Sequence, residues 1–268
     1  MAFRGASMVA AMATLILVRH GRSTANTSGV LAGRSPGVRL DDTGEEQAAR
    51  VGERLSGIRL AALVSSPLER CRQTAKGIAV RQATAPTVAR EKELTEVDYG
   101  EWTGEALKTL AKEPLWKVVQ GHPSGATFPG GESLAAMSAR AVAAVRRWDS
   151  RVEQEHGTEA VWAAVSHGDV IKAVLADALG MHLDAFQRIV VDPAAVSVVR
   201  YTAGRPFVLT MNSHAGDLAH LQPKPAVKGR RRKAASSDAA VGGGAGPGGA
   251  ADGAASVGAA SGDAGARR

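Results

Sequence analysis

Two histidines in this chain each end an apolar run and precede a glycine. Leu15-Ile16-Leu17-Val18 leads into Arg19-His20-Gly21, and residues 160–165 lead into Ser166-His167-Gly168-Asp169. A third apolar run, residues 61–65, is followed by Ser66-Pro67-Leu68-Glu69-Arg70. Imidazoles attack or relay protons and guanidinium groups hold oxyanions, so these side chains, if brought together, suit chemistry on an anionic substrate.

Short apolar runs bounded by turn residues read as buried parallel strands, and open α/β sheets bind ligands just past the carboxyl ends of such strands. His20, Arg70 and His167 are therefore expected on one rim of a sheet. Thr43-Gly44-Glu45-Glu46 predicts a capping box that opens a helix through about residue 56, and Ser66-Pro67-Leu68-Glu69 predicts a second helix start with Ser66 as its cap. Val88–Arg90 reads as a third strand and residues 91–104 as an acidic loop carrying Tyr99 and Trp102. Residues 106–131, broken by Pro114, Pro123 and Pro129, suit a covering insertion. An Ala-rich helix is expected over 133–155, another from about Asp169 to near Gly180, and two last strands near 197–202 and 206–211. This alternation predicts a three-layer α/β/α sandwich with a mostly parallel central sheet, spanning residues 14–221.

The flanks read differently. Arg4 and the apolar stretch from Met8 faintly imitate a signal peptide, but that stretch runs into Arg19-His20 with no small-residue cleavage site, so residues 1–13 are expected to be a frayed leader. No run is long enough to span a membrane. From Lys224 onward there is no Leu, Ile or aromatic residue, and eight Lys/Arg face three Asp, which accounts for five of the seven formal positive charges. Residues 222–268 are expected to be a disordered basic Gly/Ala-rich tail, able to attract nucleic acid only weakly. The single cysteine, Cys71, excludes an intramolecular disulfide and suits the cytoplasm.

The motifs together resemble the histidine phosphatase superfamily, also called phosphoglycerate mutase-like. The resemblance rests on Arg19-His20-Gly21, on residues 65–75, on Leu94-Thr95-Glu96-Val97-Asp98-Tyr99-Gly100-Glu101-Trp102-Thr103-Gly104, on Pro129-Gly130-Gly131-Glu132-Ser133 and on Ser166-His167-Gly168-Asp169. It implies a phosphoglycerate mutase-like fold and a nucleophilic His20 that becomes phosphohistidine. Arg19, Arg70 and a protonated His167 would surround the phosphate, with Ser23, Asn26 and Gly168 adding contacts and the helix after Ser66 its dipole. Glu96 would protonate the leaving oxygen; Asp169 is the rival acid, but the family's acid-phosphatase branch puts an aspartate directly after the second histidine, where this chain has Gly168. No metal or cofactor is implied.

The substrate expected is a small phosphorylated metabolite and the reaction its hydrolysis. Mutase activity is disfavoured, because the segment Lys112-Glu113-Pro114-Leu115-Trp116-Lys117 lacks the paired arginines of the family's glycerate mutases. The Gly-x-Trp-x-Gly and Pro-Gly-Gly-Glu-Ser signatures look more like its broad-specificity and alpha-ribazole phosphatases. A non-catalytic phosphate-ligand or anionic-partner binding module is the alternative of another class. Lys108, Lys112, Trp116, Lys117 and His122 are candidates for substrate contacts.

Overall fold

The computed structural model describes residues 11–214; residues 1–10 of the expected leader, residues 215–221 and the expected tail lie outside the described residues. In chain order the elements are β1 (Ala11–Arg19), α1 (Thr24–Ser28), α2 (Asp42–Leu55), β2 (Leu60–Ser65), α3 (Glu69–Ala79), β3 (Val88–Arg90), α4 (Leu107–Leu110), α5 (Pro114–Gly121), α6 (Leu134–His156), β4 (Val161–Ser166), α7 (Gly168–Ala178), β5 (Val196–Thr202) and β6 (Phe207–Ser213), with short 3-10 turns in the loops.

The strands form one sheet in the order β3-β2-β4-β1-β5-β6. The first four are parallel, while β5 and β6 are antiparallel additions at one side. Alternation along β1 explains the layers. Leu15 and Leu17 join the core under α6 and α7, whereas Ile16 and Val18 join Val51, Leu55 and Ile78 under α2 and α3. Both faces are covered, so β1 and β4 read as continuous apolar runs.

Register brings the three chemical segments to one edge. Arg19 stands opposite Ser166 and Ser65 opposite Val165, so β2, β4 and β1 stop side by side. The chain continues the ladder for one more step at each, with His20 N–H donating to the Ser166 carbonyl at 3.0 Å and Ser66 N–H to that of Val165 at 3.0 Å.

Three expectations about the elements are corrected. The first strand begins at Ala11, inside the expected leader, because Ala11 pairs with Thr202 of β5. The cap of α2 is Asp41, whose Oδ1 accepts from Gly44 N–H at 2.8 Å while its Oδ2 is held by Arg22 and Thr27; Thr43 lies inside the helix. Ser66 does not cap α3, which starts after Leu68 without a side-chain cap.

The insertion is pinned by aromatic packing: Trp116 of α5 stacks on Trp102 at 6.2 Å, and Phe128 meets both Trp102 and Tyr99 edge to face.

Candidate active site

Beyond the carboxyl ends of β1 and β4, the His20 and His167 rings lie 5.3 Å apart, inclined at 63°. Arg70, in the first turn of α3, bridges them. Its Nε donates to His20 Nε2 at 3.2 Å, and its Nη2 donates to His167 Nδ1 at 3.1 Å and to the Gly33 carbonyl at 2.8 Å. Its Nη1 is buried with no hydrogen-bond partner among the described residues, a costly state for a cationic donor.

These bonds fix both tautomers, since a guanidinium only donates and a carbonyl only accepts. His20 Nδ1–H donates to its neighbour's carbonyl, Gly21 O, at 2.7 Å, which leaves the lone pair on Nε2. His167 takes the opposite tautomer: its Nδ1 accepts from Arg70, so Nε2–H donates to Ser66 Oγ at 2.8 Å. The serine read as a helix cap is thus spent on orienting an imidazole. Burial, then Arg70 and Arg19, hold the His20 pKa well below its ordinary value. Burial, Arg70 and His20 likewise hold the His167 pKa well below its ordinary value.

Glu96 is buried, with Oε2 3.9 Å from His167 Nδ1 and Oε1 accepting from Val97 N–H at 3.0 Å. Burial and then the Asp169 charge push its pKa up to about 7, against the pull of Arg70. Asp169 itself is committed elsewhere: it accepts from Tyr99 Oη–H at 2.8 Å and from the buried ammonium of Lys172 at 3.2 Å. Arg19 is fully buried and donates from Nη1 to the Val191 carbonyl at 2.8 Å.

Ser23 and Asn26 are close to His20 in the chain but engage one another. Ser23 caps α1, its backbone N–H and hydroxyl both donating to Asn26 Oδ1 at 3.0 and 2.9 Å. Gly168 opens α7 directly after His167. Of the suggested substrate contacts, Lys108, Lys112 and Lys117 are exposed and Trp116 is half-buried in its stack. His122 pairs with Asp184 at 3.1 Å on the surface. Cys71 packs under His167, its Sγ 3.4 Å from Nε2, with its thiol pushed up to about 12 by burial.

Several supporting roles have no reading from the sequence alone. Gly21 N–H donates to Thr74 Oγ1 at 3.0 Å, and Arg34, Glu132 and Arg140 brace the Glu96 loop. Among the described residues there is no cluster of three or more His, Cys, Asp or Glu arranged to hold a metal ion, and no helix long and apolar enough to cross a membrane.

Known proteins resemble this chain in sequence and in fold. The model of the histidine phosphatase superfamily, branch 1, matches residues 15–214. The chain belongs to this superfamily. Among curated members, phosphoserine phosphatase 1 of Hydrogenobacter thermophilus is 32% identical over 214 residues, covering 77% of this chain and 96% of that protein. A Salmonella choleraesuis protein named "Probable phosphoglycerate mutase GpmB" is 30% identical over 214 residues, covering 78% and 95%. Among solved structures of the superfamily, the alpha-ribazole phosphatase of Shigella flexneri superposes with a TM-score of 0.63 at 25% identity, over 75% of this chain and 96% of that one.

Proposed function

We propose that this histidine phosphatase superfamily member hydrolyses small-molecule phosphate monoesters through a phosphohistidine on His20, without a metal ion. The observation that carries the reading is the Nε2 lone pair of a neutral, tautomer-locked His20 beside Arg70, which also offers a buried unpartnered N–H.

Phosphoryl transfer asks the protein for positioning and charge stabilisation more than for covalent work. Arg70 and Arg19 supply the positive field that favours bound phosphate and keeps the nucleophile unprotonated. His167 Nδ1 accepts from Arg70; when the phosphate dianion takes over that donor, the anion also favours proton uptake by the ring, which then holds a phosphate oxygen as a cation. In the first step the Arg70 Nε–H passes from His20 Nε2 to a phosphate oxygen, the freed Nε2 lone pair forms the Nε2–P bond as the ester P–O bond breaks, and the departing oxygen takes the proton of Glu96. Water then attacks phosphorus while Glu96 removes its proton; the P–N bond breaks, its electron pair returns to Nε2, and inorganic phosphate leaves. The hydrogen bonds that occupy Asp169 favour Glu96 for this task. Ser23, Asn26 and Gly168 are proposed as further phosphate contacts, with the Ser23–Asn26 pair holding the loop that carries them.

A mutase reading is favoured by one observation, the similarity to a protein named for phosphoglycerate mutase. The two readings differ in the acceptor of the phosphoryl group. Phosphoserine, alpha-ribazole phosphate and 3-phosphoglycerate, the last with and without a bisphosphate primer, should be assayed separately for free phosphate and for isomerised product. Free phosphate formed in chelator, and lost in His20→Ala, is the expected result; isomerised product without free phosphate would reverse the assignment. No turnover of any ester would leave the binding-module alternative. A cytoplasmic setting is supported by the lone, buried and unpaired Cys71.

A further inference from the structure

Glu96 is carried on an irregular loop, yet its backbone carbonyl accepts from two arginines, Arg34 and Arg140. Three carbonyls of that loop converge on one guanidinium projecting from α6: Arg140 Nη1 takes Glu93 O at 2.6 Å and Thr95 O at 2.8 Å, and Nη2 takes Glu96 O at 3.2 Å. The remaining donors go to Glu132, from Nε to Oε2 at 3.0 Å and from Nη2 to Oε1 at 2.6 Å. All five N–H donors of Arg140 are thereby used.

Glu132 closes the clamp from the other side. Its Oε1 also accepts from Asp98 N–H at 2.9 Å and from Arg34 Nη2 at 2.9 Å, and Arg34 Nε donates to the Glu96 carbonyl at 2.9 Å. Burial alone would raise the Glu132 pKa, but Arg140 and the Asp98 N–H outweigh it and keep the carboxylate ionised. A lysine at position 140 carries the charge but cannot reach three carbonyls and a carboxylate in one plane.

We infer that Arg140, braced by Glu132, is the positioning residue that fixes the Glu96 carboxyl against the scissile oxygen. The inference rests on the proton-donor role proposed for Glu96. A displacement of about 1 Å at such a group costs on the order of 10²-fold in rate, and the loss should track how badly the leaving group needs a proton.

The test is leaving-group dependence in the full chain. Wild type, Arg140→Lys, Glu132→Gln, Glu96→Gln and the double variant Glu96→Gln/Arg140→Lys are assayed on O-phosphoserine or another alkyl phosphate that the wild type turns over, and on 4-nitrophenyl phosphate. Glu96→Gln is expected to lose about 100-fold or more in kcat/KM, which reports formation of the phosphohistidine and not its hydrolysis, on the alkyl ester and far less on the aryl ester. Arg140→Lys is expected to lose on the order of 10-fold in kcat/KM on the alkyl ester, to be nearly unaffected in kcat/KM on the aryl ester, and to add nothing in the Glu96→Gln background. Glu132→Gln should shift both esters in the same sense as Arg140→Lys, which keeps the test open if the lysine variant does not fold. Equal loss of kcat/KM on both esters, or additivity with Glu96→Gln, would overturn the positioning role. A Glu96→Gln variant that lowers kcat/KM alike on both esters would instead remove the proton-donor role on which the inference rests.

Discussion

His20 serves as a nucleophile only as a neutral imidazole, and burial with two neighbouring guanidinium groups holds it so well below the ordinary histidine range. Glu96, by contrast, must enter the first step protonated, and its pKa is pushed up to about 7 by burial and Asp169. The signs give the pH profile. Apart from the ionisation of the substrate itself, kcat/KM on an alkyl phosphate should lose nothing to His20 protonation across the ordinary histidine range and should fall as pH rises through about 7, where Glu96 gives up its proton. A bound phosphate dianion raises that carboxyl further, so the falling limb of kcat should lie at higher pH than that of kcat/KM. The limb should vanish in the residual activity of Glu96→Gln; its survival there would assign it to another group. Arg70 makes a separate prediction through its buried unpartnered Nη1. Arg70→Ala should cost about 3 to 4 kcal/mol in kcat/KM, the loss seen when an oxyanion donor is removed. If the loss is all in KM with kcat intact, Arg70 holds the ground state and does nothing more for the transition state.

At the scale of elements, what was legible followed from period and burial. The apolar runs of β1, β2 and β4 marked strands covered on both faces, and their shared edge followed from parallel pairing, so the surroundings of His20, Arg70 and His167 could be anticipated. Ser66 and Thr43 were misread because cap signals are local, while the winning partners came from far along the chain: His167 claimed Ser66, and Arg22 with Thr27 held Asp41 in place to cap α2. Arg140 left no trace in the sequence, one arginine among several on an Ala-rich helix, because its partners are backbone carbonyls, which every residue carries. The Gly-x-Trp and Pro-Gly-Gly-Glu motifs were visible as motifs, and the structure adds their reason. Gly100 has φ +53° and its backbone lies against Pro129 and Gly131, so a Cβ there would collide with the Pro129 carbonyl. Gly104 has φ +90° but faces open space. Both Gly→Ala changes incur left-handed strain of about 1 to 3 kcal/mol, and Gly100→Ala alone adds a backbone clash beside the Glu96 loop. Thermal unfolding should therefore show the lower Tm for Gly100→Ala, with kcat on alkyl phosphates falling in step. Equal Tm values for the two variants would mean that the loops part at no cost.

For the whole molecule the question is which residues the enzyme needs. The described residues, 11–214, hold the sheet, both cores and the side chains gathered at the candidate site, and the family match covers 15–214. The charge is distributed otherwise: five of the seven formal positive charges fall within residues 222–268. If catalysis is local to the sheet edge, a chain ending at residue 221 should match the full chain in kcat, KM and Tm. The two should differ where net charge acts at a distance, in retention on a polyanion such as heparin, and that difference should fade as salt screens it over about 10 Å at 0.1 M ionic strength. A truncated chain that folds with the same Tm but loses turnover would make the basic segment part of the catalytic apparatus. One that keeps turnover and loses only the salt-sensitive retention would show that the basic segment acts through its charge and takes no part in catalysis.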